Sequence, residues 1–303
     1  MLNQNPLLKK LGFSNNDRVV IIHADDLGMC QSTITACKVL FELSGISSAA
    51  VMVPCGWFLS AAKLQKEFQN VDLGVHITLT SEWDEYRWRP ISTCDHASGL
   101  MDSQGYFHPS SRDVQEMAEP VFVKDEMLAQ INTAILAGIV PTHIDTHMGA
   151  VAHPKFMFDY INVGISRKIP PMLFRLTRAE WMNMGLDEAS ASVVENFLSK
   201  LEEQGVPLLD HLRSIPLENS EERFNQAVKI FDSLPAGITH FIIHPAEETP
   251  ELKAITPDWQ SRVGDFQLFR ERAIHNHLKN KGIHIIGYEK IKSVFPISDI
   301  KLS

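Results

Sequence analysis

The chain has 303 residues, of which 44% are hydrophobic and 21% charged, and its formal net charge at pH 7 is −9. This is the composition of a globular protein, and the acidic balance argues against nucleic acid or an anionic membrane as a partner. The sequence contains no apolar run of about 20 residues and no signal-peptide core, and its four cysteines match no zinc pattern. We therefore expect a cytoplasmic protein with reduced thiols and no membrane partner.

Short apolar runs alternate with segments of helical period along the whole chain. We predict strands at residues 19–23, 49–53, 73–79, 142–145, 172–176, 207–210, 240–244 and 284–287, and helices at 124–138, 188–205 and 220–234. This alternation indicates a parallel sheet. We expect an α/β fold with a single domain over residues 1–303, a distorted (β/α) barrel of seven or eight mostly parallel strands. A doubly wound open sheet is the alternative.

One segment, around residues 80–112, interrupts the alternation. It has no sustained period, is rich in turn formers and contains the aromatic stretch "EWDEYRWRP". A loop of this length in a globular domain is usually either functional or disordered, and its aromatic content argues against disorder. We interpret it as a loop insertion in the barrel.

The first predicted strand is followed by the motif "HADDLG", which contains His23, Asp25 and Asp26. Carboxylates at the end of a buried strand require solvent, a basic partner or a metal ion. The two aspartates are adjacent, so in a regular strand they would point to opposite faces. Both reach one site only if the chain leaves strand geometry here, and Gly28 is placed to permit a turn. The other interpretation is that they cap the following helix.

Polar side chains also follow the later predicted strands, and the chemistry of a parallel barrel collects at these carboxyl ends. The candidates are His76, His143, Asp145, His147, Arg175, Arg178, Asp210, His211 and His244. Two imidazoles and a carboxylate make a competent site for a divalent ion, and a further carboxylate and histidine can serve as base and acid. If "HIDTH" is extended, its two histidines and Asp145 share one face, and we expect Asp145 to orient an imidazole. Each histidine alone also has a structural interpretation, as a hydrogen-bonded core residue.

Six motifs together resemble the YdjC-like (chitooligosaccharide deacetylase) family of metal-dependent carbohydrate deacetylases. They are "HADDLG", "GVHITLT", "PTHIDTHMG", "FRLTR", "IIHPAEE" and "GIHIIGYEKI", and they occur in the family's order over nearly the whole chain. The resemblance implies a distorted barrel fold. It also implies a hydrolase that removes the acetyl group from an N-acetylated sugar or oligosaccharide of the N-acetylglucosamine type.

The resemblance further implies roles for single residues. Asp26, His76 and His147 correspond to the family's metal ligands, which would hold one divalent ion (Zn, Mg, Mn or Co). Asp25 corresponds to the general base and His244 to the general acid. A third catalytic candidate, Arg175, corresponds to a residue that orients the base or the acetyl group. Two histidines among the ligands favour a transition ion over magnesium.

Substrate contacts are expected at the departures from the family pattern. His23 stands where the family often has Asn, and we expect it to bind the carboxylates or the substrate. The long loop supplies Trp88 and Arg89 as further substrate-binding candidates, with Trp83 and Tyr86 as rings that can stack on a sugar. The alternative is that this loop packs against the barrel or a partner subunit.

Three functions compete at this stage. The leading one is deacetylation, with a water on the metal as nucleophile, an N-acetylated sugar as partner and a possible homodimer as assembly. A second enzyme reaction, oxygen chemistry on iron, uses the same ligand types. The third is a non-catalytic sugar-binding or regulatory protein that retains the metal site.

Overall fold

A computed structural model describes residues 4–68, 71–296 and 300. Within this part of the chain seven strands form one sheet in the order β4-β3-β2-β1-β6-β5, with β7 paired to β1. Every pairing between these strands is parallel. The strands are β1 Arg18–Leu27, β2 Ser48–Val51, β3 Leu73–Ile77, β4 Ile144–Thr146, β5 His211–Ser214, β6 Gly237–Ile243 and β7 Ile283–Ile285. The predicted α/β class with a mostly parallel sheet is confirmed.

Helices connect the strands, as the alternating sequence predicts. They are α1 Pro6–Lys10, α2 Gln31–Glu42, α3 Phe58–Glu67, α4 Ser111–Met117, α5 Pro120–Leu136, α6 Pro154–Arg167, α7 Arg178–Asn183, α8 Glu188–Glu203, α9 Arg223–Asp232, α10 Pro250–Ile255, α11 Trp259–Arg270, α12 Arg272–Asn280 and α13 Tyr288–Lys292. The helices predicted at 124–138, 188–205 and 220–234 are α5, α8 and α9. None of the helices in the described ranges is long and apolar enough to cross a membrane.

The sheet curls into a distorted barrel through two isolated contacts. Residues 172–176 and 207–210 were expected as strands, but the structure has only single parallel bridges there, Ile144–Pro171 and Phe174–Leu209. Proline donates no backbone hydrogen bond, which limits regular pairing around Pro170 and Pro171. Regular pairing resumes only at His211, the start of β5. The barrel is therefore weakest between β4 and β5.

Strand β1 is buried along nearly its whole length, which explains its apolar sequence. Its pairing with β2 shifts register between Ala24 and Leu27, a β-bulge. Asp26 lies inside this bulge with φ 60°, in the left-handed region that L-residues other than Asn and Asp seldom adopt. The departure from strand geometry that the adjacent aspartates require therefore occurs at Asp26 itself. Gly28, with φ 94°, continues the turn.

The segment 80–112 is irregular, as predicted, apart from a short 3-10 turn at His96–Ser98. It packs onto the barrel through buried side chains, among them Trp88 and Phe107. The carboxylate of Glu126 on α5 accepts hydrogen bonds from the backbone N–H groups of Ile91 and Ser92. Because its backbone is hydrogen-bonded to α5 and its side chains are buried, this loop packs firmly beside the strand ends.

Candidate metal centre and active site

Three side chains from separate strand ends meet at the carboxyl edge of the sheet. Asp26 comes from the bulge of β1, His76 from β3, and His147 from the residue that follows β4. The Oδ1 atom of Asp26 lies 3.2 Å from Nδ1 of His147 and 3.5 Å from Nε2 of His76. One ligand atom from each residue falls within 4.8 Å of the other two, so this buried group could hold a metal ion.

The donor atoms of this group fit a divalent ion. Among the described residues, Asp26 Oδ1 is buried and has no hydrogen-bond partner. The other ring nitrogens are occupied: His76 Nδ1 is 2.9 Å from Asp145 Oδ1, and His147 Nε2 is 3.1 Å from Glu82 Oε2. These carboxylates fix each ring with its remaining nitrogen facing Asp26, which is how outer carboxylates orient metal-binding histidines. Asp145 thus orients an imidazole, as the shared face of "HIDTH" predicts.

Arg262 on α11 completes the surroundings of Asp26, and sequence reasoning missed it. Its Nη1 donates to Asp26 Oδ2 at 2.7 Å and its Nε to Asp258 Oδ1 at 2.7 Å. Burial alone raises the pKa of the Asp26 carboxyl. The Arg262 charge and the nearby His147 and His76 rings outweigh burial and hold this pKa well below its usual range. Asp26 is therefore a carboxylate with one oxygen neutralised by Arg262 and the other free.

Asp25 faces the same site from the other side of the bulge. Its Oδ1 accepts a hydrogen bond from His23 Nδ1 at 2.7 Å, and its Oδ2 lies 3.8 Å from His76 Nε2. Burial raises the pKa of the Asp25 carboxyl, but the charges of His76 and His23 outweigh it and the pKa is lowered. Neither aspartate caps α2, whose N-cap residue is Cys30. Asp25 is thus an ionised group with one oxygen available at the site.

Behind Asp25 lies a buried histidine cluster, defined here as His23, His143 and His240. The Nε2 atoms of His23 and His143 are 2.8 Å apart, and His240 Nδ1 is 2.7 Å from the Tyr288 hydroxyl. The His143 ring stacks on Tyr288 and occupies the space that a Cβ at Gly74 would fill, since that atom would lie 2.4 Å from the ring.

A second group of possible metal ligands overlaps this cluster: His23, Asp25, Asp145 and His240. Within it, His23 and Asp25 bond each other and Asp145 bonds His76. Among the fully buried side-chain atoms of the described residues, His240 Nε2 is the one in this group without a hydrogen-bond partner. The Asp26 group, with an unpartnered oxygen and two oriented rings, therefore fits an ion better.

His244 follows the end of β6 and borders the same space. Its backbone N–H donates to Asp265 Oδ2 at 3.0 Å, and Asp265 is in turn paired with Arg223. Its ring nitrogen Nδ1 is buried and, within the described part of the chain, has no hydrogen-bond partner. The ring is therefore placed by its backbone and keeps its polar atoms free for a ligand.

A cavity of about 470 Å³ opens over these groups. Asp25, Asp26, His76, His147 and His244 all line it. The possible ion site, the Asp25 carboxylate and the His244 ring therefore border one space large enough for a small ligand.

The sequence profile described as YdjC-like protein matches residues 19–280 of the chain. The chain belongs to the YdjC-like family. A relative from Thermus thermophilus, named a carbohydrate deacetylase, is 32% identical over 86% of this chain and 89% of its own length. A carbohydrate deacetylase from Thermoanaerobacter pseudethanolicus is 21% identical over 91% of this chain and all of its own. A chitooligosaccharide deacetylase from Yersinia enterocolitica is 26% identical over 56% of this chain and 64% of its own.

The YdjC-like fold also appears in a solved structure. A crystal structure of an Enterococcus faecalis V583 protein, described as a candidate cellobiose-phosphate cleavage protein, superposes with a TM-score of 0.74. It covers 91% of this chain and 99% of its own, at 19% identity. At this identity the likeness establishes the barrel fold alone.

Four residues that the sequence assigned to this YdjC-like site do not line the cavity. Arg175 instead forms a buried ion pair, with Nε 2.7 Å from Glu202 Oε1 and Nη1 3.3 Å from Asp210 Oδ1. His23 is fully buried behind Asp25, bonds its carboxylate and does not line the cavity. The irregular chain at 171–176, which replaces the expected strand, accounts for the position of Arg175.

The other two are aromatic-loop residues. Trp88 is buried and its Nε1 donates to the Thr80 carbonyl at 2.7 Å, so it anchors the loop. The Arg89 guanidinium lies over the Tyr106 ring. Trp83 and Glu82, from the same loop, are the residues that line the cavity. Glu82 was not singled out because nothing in its spacing distinguishes it from a surface carboxylate. Its place in the loop that follows β3 was the available signal.

Proposed function

We propose that this YdjC-like chain is a metal-dependent carbohydrate deacetylase acting on the acetamide of an N-acetylated sugar of the N-acetylglucosamine type. Asp26, His76 and His147 would hold one divalent ion, with zinc, manganese or cobalt preferred over magnesium by the two imidazoles. The observation that carries the proposal is the unpartnered Oδ1 of Asp26 between two oriented rings, in one cavity with Asp25 and His244. The names of the curated relatives support the same activity.

In this proposal the side chains divide the work. A bound ion lowers the pKa of a water to about 7 and polarises the amide carbonyl. Oδ2 of Asp25, the oxygen not bonded to His23, accepts the proton of the water as its oxygen attacks the carbonyl carbon. His244 donates a proton to the sugar nitrogen as the carbon–nitrogen bond breaks. The products are acetate and a sugar with a free amine.

Neighbouring groups keep these side chains in position. His23 holds Asp25 through its other oxygen, so the carboxylate cannot rotate away from the cavity. Arg262 occupies Oδ2 of Asp26 and leaves Oδ1 for the ion. The donor set and the base are therefore fixed before substrate binds, which lowers the cost of reorganisation in the transition state.

The test is acetate release from N-acetylglucosamine and its oligomers, with metal content measured on the same protein. We expect release that a chelator abolishes and that zinc, manganese or cobalt restores. Asp26→Ala should lose both metal and activity, whereas Asp25→Asn should lose activity and keep the metal. Asp125→Ala, which removes an exposed carboxylate on α5, is the matched control. Metal-loaded protein that binds these sugars without releasing acetate would refute the proposal in favour of a binding protein.

A further inference from the structure

The cavity over the metal centre has a second portion that the deacetylation chemistry does not use. It is lined from α6, α7, α8, β5 and the adjoining loops, and we call it the apolar half. It is defined by Met157, Leu176, Met184, Leu198, Leu212 and Leu217. None of these six side chains carries a nitrogen or oxygen atom. The charged lining residues lie on or next to β1, β3, β4, β6 and α11, while α6 and α7 contribute two residues with a polar atom, Tyr160 and Trp181.

A second sugar ring suits this apolar half poorly. Sugar hydroxyls that leave water need new hydrogen-bond partners, and aliphatic side chains offer none. Tyr160, a polar residue that also lines the cavity, already uses its hydroxyl to donate to the Ile144 carbonyl and to accept from the Met172 N–H. Trp181 Nε1 is buried and has no partner among the described residues, but this single N–H replaces the water of one hydroxyl at most. A chitooligosaccharide chain extending this way would therefore lose most of the hydration of its hydroxyls without compensation.

The acetyl group is too small to explain the apolar half. The proposed leaving acyl group has two carbons, while the cavity measures about 470 Å³. The cavity also opens past exposed apolar residues: Met148, Met184 and Leu212 are 51%, 59% and 44% exposed. An exposed apolar rim that continues into a ligand cavity is typical of a binding site for an apolar group. That group must then be attached to the sugar rather than to its nitrogen.

We propose that the substrate is an N-acetylated sugar with an apolar alkyl or aryl aglycone, and that this aglycone occupies the apolar half. The proposal rests on the proposed deacetylase function for the position of the sugar, whose amide lies at Asp25 and His244. Burial of the aglycone against methionine and leucine side chains supplies the binding free energy that the small acetyl group cannot.

The first experiment measures binding without turnover. Metal-loaded Asp25→Asn protein is titrated calorimetrically with the methyl, butyl and octyl β-glycosides of N-acetylglucosamine, below the micelle concentration of the octyl compound. Each buried methylene strengthens binding by up to about fourfold. We expect the octyl glycoside to bind at least roughly 30-fold tighter than the methyl glycoside, with a more negative heat-capacity change. Equal affinities along the series would overturn the proposal.

Variants of the rim locate the aglycone. Met184→Gln and Leu212→Asn, at exposed positions where folding tolerates polar side chains, should reduce the octyl-to-methyl affinity ratio by about threefold to tenfold. Val193→Gln is the matched control, because Val193 is 58% exposed on the neighbouring α8 but does not line the cavity. An octyl preference that all three variants leave unchanged would place the aglycone elsewhere.

Turnover by the wild-type enzyme separates the two proposals. If acetate is released and kcat/KM rises from methyl to octyl, both stand. Release at one kcat/KM for all glycosides leaves the deacetylase function and overturns the aglycone site. No release, together with tighter octyl binding, leaves the apolar site and overturns the deacetylase function. Two further ligands test the aglycone assignment. It is overturned if di-N-acetylchitobiose binds more tightly than the octyl glycoside, or if the methyl glycoside carrying an N-octanoyl group does so.

Discussion

Two pairs of buried histidines lie close together under the carboxyl edge of the sheet, and their pKa values are shifted in opposite directions. His76 and His147 face carboxylates, while His143 and His240 face other imidazoles and Tyr288. Burial lowers the pKa of all four. For His76 the charges of Asp145 and Asp25 reverse this effect and raise the pKa well above its usual value. For His147, Glu82 and Asp26 raise it to about 9.

In the second pair nothing reverses the effect of burial. The pKa values of His143 and His240 are lowered by burial and further by the neighbouring imidazole of His23. These rings are neutral at pH 7 and act as packed, hydrogen-bonded parts of the core. Burial alone therefore does not separate a ligand histidine from a structural one. Within these two pairs, contact with carboxylates separates the proposed ligand rings from the core rings.

The largest expected effect on activity comes from removing the Asp26 carboxylate, which lies between the two proposed ligand histidines, His76 and His147. Asp26→Ala should lower kcat/KM by roughly a thousandfold or more, because a proposed ligand is lost and the pair loses its shared carboxylate. Metal analysis and acetate release measured on one preparation check this. Full metal occupancy in this variant would contradict the assigned ligand set.

One alanine substitution in each histidine pair, His147→Ala and His143→Ala, compares the effects of the two pairs on metal binding and stability. His147→Ala should lose metal and activity, and the metal-free variant should also lose the stability that the protonated ring provides beside Glu82 and Asp26 at pH 7. His143→Ala should keep one metal per chain but lower the free energy of unfolding by about 2–4 kcal/mol, through a cavity and an unpartnered His23. Urea unfolding and metal analysis measure both quantities. The comparison fails if His143→Ala releases the metal without loss of stability.

Substitutions of Arg262 and Arg175 should differ in the same way, the first affecting metal affinity and the second stability. Arg262→Met removes the positive charge from Asp26, so the pKa of that carboxyl rises and metal affinity should fall by about tenfold to a hundredfold. Arg175→Met leaves Glu202 and Asp210 without their guanidinium and should cost about 3 kcal/mol of stability. Its metal affinity should match wild type. Competition titrations with a chelator, paired with denaturation curves, distinguish the two outcomes.

The last prediction concerns the pH dependence with which the metal-free protein binds a metal ion. Since the pKa of His147 is raised to about 9, its ring stays protonated at pH 7 and a metal must displace that proton. The apparent affinity for the metal ion should therefore keep rising between pH 7 and 9, roughly tenfold per pH unit for each imidazole proton displaced. An affinity that levels off near pH 6.5 would show that the rings bind as ordinary histidines. Chelator competition at pH 6, 7, 8 and 9 supplies the data.

The sheet class and six of the strands were predictable because apolar runs alternate with helical segments, whereas the strands expected at 172–176 and 207–210 are only isolated bridges. The meeting of Asp26, His76 and His147 was equally predictable, since parallel strands end at one edge. Arg262 was not predictable: it lies on a helix, 236 residues from Asp26 in sequence, with no pattern around it. The strand-end rule also predicted Arg175 at the site, whereas the chain around it forms no regular strand and its side chain pairs with Glu202 away from the cavity.

The bulge at Asp26 has a consequence for how this site can evolve. A regular strand presents one functional side chain for every two residues, whereas here two neighbouring codons supply the proposed base and a proposed ligand. A single substitution at Asp25 removes proton transfer while Asp26 and its backbone stay in place. Under the proposed roles, a metal-dependent deacetylase and a metal-holding sugar receptor would be separated by one mutational step, and loss of catalysis would not entail loss of the fold or the ion.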